Sequence, residues 1–421
     1  RISIMRVVTS GRRRAAALLA ASALAAALPA AAETVREGTT PGGAFYKLVV
    51  PDGWNGDLVI WNHGFDLGPV GPVEDLGPLA EVQLLQGFAV AASSYRLPGW
   101  AVFKTNRDLR AMMAAFRGEF GEPARVLVYG ASLGGLVTVR AIERGRSRLG
   151  NVEGALSFCG AVAGSRNWDL ALDLRLLYDH VCREVPEAAI PGGGEGLPQH
   201  SAFDMDRLEA AVDACTGVLQ RPADRTAAQR DRLRDLLELA RLPEEFLLPD
   251  MTYATFALRD LIHGRGKLRH RRGAGNERVD YGDAEVDAGI ERVVPRPGAA
   301  RRLRRNYTPS GGVGDVKVVA LHTDQDGLVV VENESAYAAV APAGQLTVAV
   351  AVEPEPSHCG FTPAEILGAW SALLDWVDGD PRPDAAAIQA SCRSYESIVP
   401  GPCRIDPAFV VPQLDERIRP R

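Results

Sequence analysis

The chain has 421 residues, of which 46% are apolar and 24% charged, with a formal charge of −6. That length and apolar share support one large folded domain with an insertion, or two modest domains, and exclude a chain that stays disordered. The acidic balance argues against nucleic acid as a partner.

Arg12, Arg13 and Arg14 precede an Ala/Leu run from Ala15 to Leu28, followed by Pro29 and three alanines. This reads as a secretory leader over residues 1–32 with cleavage before Glu33. The run is shorter than the roughly 20 residues of a bilayer span, and no later run is long and apolar enough, so no stable membrane anchor is expected. Removing residues 1–32 takes away five arginines and no acid, which moves the formal charge from −6 to −11. A secreted or periplasmic location follows, and export favours disulfides among Cys159, Cys182, Cys215, Cys359, Cys392 and Cys403. Cys392 pairs most readily with Cys403, since both sit in a Pro/Gly-rich tail with little core of its own. Cys182 with Cys215 would staple the middle of the chain. Cys159 and Cys359 remain, either as a third disulfide or as buried free thiols.

Short β-branched or aromatic runs at Phe45–Val50, Leu58–Asn62, Phe88–Ser93, Val126–Tyr129, Gly154–Phe158, Val316–His322 and Leu346–Val352 predict strands. Between them, Glu74–Gln86, Asn106–Phe120, Leu133–Arg144 and Pro363–Val377 carry apolar residues at three and four spacing and predict helices. Strand alternating with helix implies an α/β protein with a mostly parallel sheet. From about Gly164 to Arg305 the alternation stops and the sequence turns helical and charged, with amphipathic helices over Met205–Leu219 and Ala227–Arg241. The expected organisation is a leader (1–32), a first core part (33–165), a helical cap (166–305), a second core part (306–390) and a disulfide-clipped tail (391–421). The basic clusters Arg265–Arg272 and Arg301–Arg305 have Asp280, Asp283, Glu285 and Asp287 between them and read as a solvated face of mixed charge. Gly192–Gly194 lacks the Lys-Ser/Thr of a phosphate loop and reads as linker.

Gly130-Ala131-Ser132-Leu133-Gly134 follows a predicted strand and precedes a predicted helix, the setting in which a serine is displayed on a tight, strained turn. Side chains at Gly130 and Gly134 would clash with neighbouring backbone there. His63-Gly64-Phe65 follows another strand, where backbone N–H groups would face a developing oxyanion; Phe65 and Leu133 are the expected donors. His63 then braces its turn and need not act as a base. A serine needs an imidazole to take its proton. His358, in the small-residue loop Pro356–Gly360 after the last strand, is placed for that role. His180, His200, His263 and His270 fall in the expected cap, and His322 lies on a core strand. The carboxylate orienting His358 is expected at Asp326, aimed by a turn at Gly327, with Asp324 as the alternative.

The His-Gly after one strand, the Gly-x-Ser-x-Gly turn, the Asp loop and the late His loop resemble the α/β-hydrolase superfamily, over roughly residues 40–165 and 306–380. The resemblance implies an eight-stranded, mostly parallel sheet with a helical cap inserted after strand six. It also implies a two-step acyl-enzyme mechanism with no metal and no organic cofactor. The pair His358-Cys359 is further similar to tannases and feruloyl esterases, in which cysteines beside the serine and the histidine are disulfide-linked. Here Ala131 precedes Ser132, so the pairing cannot exist in that form. The expected activity is hydrolysis of small-molecule or polymeric carboxylic esters, with Trp100, Phe103, Trp168 or Tyr178 lining the pocket. Three other readings compete. A serine aminopeptidase would hold a substrate ammonium on Asp206, Glu209 or Asp213, a polyester depolymerase would need an open cleft, and a binding module would be catalytically silent.

Overall fold

A computed structural model describes residues 33–143 and 148–421; the leader expected over residues 1–32 lies outside them. Eight strands form one sheet in the order β1-β2-β4-β3-β5-β6-β7-β8, with β1 Glu33–Thr39, β2 Phe45–Pro51, β3 Leu58–Asn62, β4 Ala89–Ser93, β5 Val126–Ala131, β6 Val152–Phe158, β7 Lys317–Thr323 and β8 Leu346–Ala351. Strands β3 to β8 run parallel, while β2 is antiparallel to both β1 and β4.

The central strands are apolar on both faces because helices cover both. Leu58 and Ile60 of β3 and Val126 and Val128 of β5 pack toward Leu109, Met112 and Met113 of the helix Val102–Phe120. The intervening Val59, Trp61, Leu127 and Tyr129 pack toward Leu367, Trp370 and Leu373 of the helix Pro363–Val377. The helices between Asn167 and Tyr307 are inserted between β6 and β7. Strand order and insertion point together define the α/β-hydrolase fold with a helical cap after strand six.

Three departures from the sequence reading have local causes. Strand β1 has the polar sequence Glu-Thr-Val-Arg-Glu-Gly-Thr and pairs only with β2 at the sheet edge, so no apolar alternation marks it. The helix expected over Glu74–Gln86 spans only Ala80–Leu85. Ahead of it Gly77 adopts φ +92° with its N–H bonded to the Asp75 side chain, and Pro78 follows. The tail is more ordered than its composition suggests. A helix over Ala385–Tyr395 packs on Pro363–Val377, with Cys392 so close to Gly368 that a Cβ there would lie 2.5 Å from the Cys392 Cα.

All six cysteines are paired, Cys159–Cys359, Cys182–Cys215 and Cys392–Cys403, so the free-thiol alternative does not hold. No helix among the described residues is long and apolar enough to cross a membrane. Loop-closure entropy ranks two of the disulfides: Cys182–Cys215 spans 33 residues and Cys392–Cys403 spans 11. Replacing the first pair by alanine should lower stability by about 4 kcal/mol and replacing the second by about 3 kcal/mol. Denaturant titrations of the two double variants read out that order.

Candidate active site

Ser132 sits between β5 and the helix Leu133–Ile142 with φ +57° and ψ −122°, a conformation costing about 1–3 kcal/mol that surrounding contacts must hold. Its N–H donates to Phe158 O at 2.9 Å, and its carbonyl accepts from Gly135 N at 3.0 Å and Ala161 N at 3.2 Å. Glycine at 130 and 134 is a steric requirement. A Cβ on Gly130 would lie 2.7 Å from Asn62 O, and one on Gly134 would lie 2.8 Å from His63 O and still closer to Asn62 O.

His358 Nε2 lies 2.9 Å from Ser132 Oγ, and His358 Nδ1 lies 2.6 Å from Asp326 Oδ2. An ionised carboxylate only accepts, so Nδ1 carries the proton and Nε2 is left free to accept the serine hydroxyl. Asp326 is 4% exposed, and its Oδ1 accepts the N–H groups of Leu328 at 3.0 Å and Val329 at 2.9 Å. Asp324 is turned elsewhere, accepting Glu353 N–H at 2.8 Å. The loop bearing His358 is tied down on several sides. Ser357 hydroxyl donates to Glu353, Arg404 donates to Gly360 O at 2.6 Å, and Cys359 is bonded to Cys159 at the end of β6. Cys359 Sγ stands 3.5 Å from His358 Nε2.

Behind the carboxylate lies a group the sequence did not single out. His322 is fully buried, with Nε2 2.6 Å from Val329 O, Nδ1 2.9 Å from Glu334 Oε1, and Asp326 Oδ2 3.8 Å away. Burial alone would pull the His322 pKa down, but the bond and charge of Glu334, with Asp326, more than offset it and the pKa is raised. The sequence placed His322 on a core strand, yet Glu334 reaches it only because a later helix folds back.

Phe65, Tyr253, Leu328 and His358 line a cavity of about 350 Å³ over Ser132, together with Gly64 and Trp100. Leu133 opens its helix, so its N–H has no intrahelical acceptor. Phe65 follows β3 on a loop that passes the serine: a Cβ on Gly64 would be 3.6 Å from Ser132 Cβ. His63 stacks on Tyr95 with ring centres 4.2 Å apart and approaches Gly64 O at 2.9 Å, the geometry of a brace. Burial lowers its pKa.

Tyr253, which the sequence reading overlooked, opens a π-helical turn, Tyr253–Ala257, in the cap. Its ring stacks on Trp168 at 4.9 Å and meets Phe65 edge-on at 5.3 Å. Burial holds its hydroxyl protonated. Of the aromatics expected at the pocket, Trp100 lines it and Trp168 backs Tyr253. Phe103 instead lies under Arg302, and Tyr178 hydroxyl bonds Ala188 O at 2.9 Å. Asp206, Glu209 and Asp213 do not line the cavity; Asp213 instead accepts from Leu219 N and Gln220 Nε2, at 3.0 Å each.

No family model matches the chain. O-phthalyl amidase of Xanthobacter agilis is 31% identical over 115 residues, covering 27% of this chain and 24% of the amidase. The match therefore spans about a quarter of that relative's length. Among solved structures, Candida antarctica lipase A in its closed state shares 14% identity over 92% of this chain and 83% of the lipase, with a TM-score of 0.41. An esterase from Rhodococcus sp. shares 15% identity over 82% of this chain and 98% of the esterase, with a TM-score of 0.37.

Gly134→Ala should cost at least about 1–3 kcal/mol through overpacking against β3, read as a lower melting temperature. His322 has a raised folded pKa, so its contribution is fully present below the unfolded value of 6.5 and is lost as pH rises through the folded value. Denaturant melts of wild type and the His322→Gln/Glu334→Gln double variant should therefore differ most at the acid end of the range and converge as pH rises.

Proposed function

We propose that the protein is an exported serine hydrolase of carboxylic esters, with Ser132 as nucleophile, His358 as general base and acid, and Asp326 as the group that orients the imidazole. The observation that carries this is the continuous relay Ser132 Oγ–His358–Asp326, at 2.9 and 2.6 Å, opening onto a cavity. In the first step His358 Nε2 takes the serine proton while Oγ bonds to the substrate carbonyl carbon. Phe65 and Leu133 N–H groups receive the oxyanion, each worth about 3–4 kcal/mol. The imidazolium then protonates the leaving alcohol, giving the acyl-enzyme, and water enters by the same route to release the acid and free Ser132.

The cavity favours an uncharged group at the reacting centre, since Trp100, Phe65, Tyr253 and Leu328 form much of its wall and no carboxylate lines it. That supports an ester over the peptide of an aminopeptidase, whose ammonium would need an acid there. The cap from 166 to 305 shapes the substrate pocket, and a cavity under a cap fits a small ester better than a polymer. Three disulfides agree with export to an oxidising compartment. The likeness to an o-phthalyl amidase supports a second reading, amide hydrolysis by the same residues. Acyl transfer from either bond uses the same acyl-enzyme.

Ser132→Ala should abolish labelling by a fluorophosphonate probe, and persistent labelling would move the nucleophile elsewhere. His358→Ala should lose several orders of magnitude in kcat/KM with its melting temperature retained; near-normal turnover refutes the base. A chromogenic panel of short esters, long esters and anilides separates the readings, and preferential anilide cleavage selects the amidase.

A further inference from the structure

A second chamber of about 620 Å³ lies beside the catalytic cavity, lined by Leu67, Met205, Phe256, Arg259, His263 and Arg265 among others. The same two chain segments contribute to both linings. Phe65 faces the first and Leu67 the second, at most about 7 Å further along one loop. Tyr253 faces the first, while Thr252 and Phe256 of the same helical segment face the second.

The chamber combines two features seldom left uncovered together. Leu67 and Met205 are 43% and 38% exposed, which leaves an apolar floor open to solvent. Along the same lining, Arg259 and Arg265 have no carboxylate partner among the described residues. Arg265 is exposed and makes no ion pair among the described residues. Arg259 spends one nitrogen on a neutral acceptor, Gln199 O, at 2.6 Å. Asp260 is the one carboxylate among the lining residues, and buried Lys267 engages it. Glu195 nearby is taken by Arg272 at 2.5 Å. His263 adds no charge of its own, because partial burial, His270 at 2.9 Å and Arg259 all lower its pKa. In a chain of net negative charge, two guanidiniums that have no carboxylate partner among the described residues, lining the same chamber as exposed apolar side chains, match an apolar body ending in a carboxylate.

We propose that this chamber binds a carboxylate carried by the substrate, so that the preferred substrates are hemiesters or half-amides of dicarboxylic acids whose free carboxylate reaches Arg259 and Arg265. The inference rests on the hydrolase reading above and adds the substrate class. It also assigns Arg259 and Arg265 to substrate selection, whereas the sequence reading put the cluster Arg265–Arg272 on a solvated face and did not single out Arg259.

The test compares kcat/KM for mono-4-nitrophenyl glutarate and its methyl-capped diester, with the full chain at neutral pH. The hemiester should be favoured by about tenfold or more. That ratio should fall about fivefold or more in Arg265→Gln and in Arg259→Gln, persist in Arg265→Lys, and shrink at high salt. A wild-type ratio near one, or a ratio unmoved in both glutamine variants, overturns the chamber's role and leaves the hydrolase reading standing. Hydrolysis of neither ester overturns the hydrolase reading itself.

Discussion

The backbone of β3 runs so near the turn after β5 that no side chain fits between them. Asn62 O occupies the space a Cβ at Gly130 or Gly134 would need. Held against that strand, Ser132 is forced to φ +57° and its hydroxyl meets His358 Nε2. Four hydrogen bonds between its peptide groups and Phe158, Ala161, Gly135 and Leu136 offset the strain. Every other part of the site is placed relative to this fixed point: the loop after β3 alongside it, the loops after β7 and β8 above it, the cap over them all.

A carboxylate as buried as Asp326 is costly unless its oxygens are satisfied. Two backbone N–H groups and the imidazole of His358 satisfy them. Val329 is held at both ends, its N–H by Asp326 and its carbonyl by His322, so the turn that aims the acid is itself pinned to a buried histidine and, through it, to Glu334. The Cys159–Cys359 bond holds His358 correspondingly, fastening its loop to the strand next to the one that leads into Ser132.

The cap contributes to two neighbouring cavities of different character. On one side the aromatic row of Phe65, Tyr253 and Trp168 gives the serine a mostly apolar surround. On the other, Arg259 and Arg265 line one chamber with exposed Leu67 and Met205. The π-helical turn at Tyr253–Ala257 contributes Tyr253 to one lining and Phe256 to the other, and an extra residue in the turn displaces the side chains that follow.

What the sequence determined by itself is what short-range sterics and periodicity control. Gly-Ala-Ser-Leu-Gly between a strand and a helix states its own backbone conformation, and continuous apolar runs state a sheet covered on both faces. Ser132 and His358 could be named from such local context, with the carboxylate narrowed to Asp326 or Asp324, and the fold brings Ser132, His358 and Asp326 within hydrogen-bonding reach of one another. What only the tertiary structure decided depends on segments far apart in the chain. Asp324 and Asp326 differ little as neighbours of Gly327; the choice comes from Glu353 capturing one and His358 the other. The Cys159–Cys359 bond closes a separation of 200 residues that no spacing rule resolves. The polar edge strand β1 exists only because β2 offers it unpaired backbone groups. Tyr253, Arg259 and Arg265 look like ordinary residues of a charged helical stretch until the cap folds over the sheet, because a pocket is a property of surfaces that meet and not of any one segment.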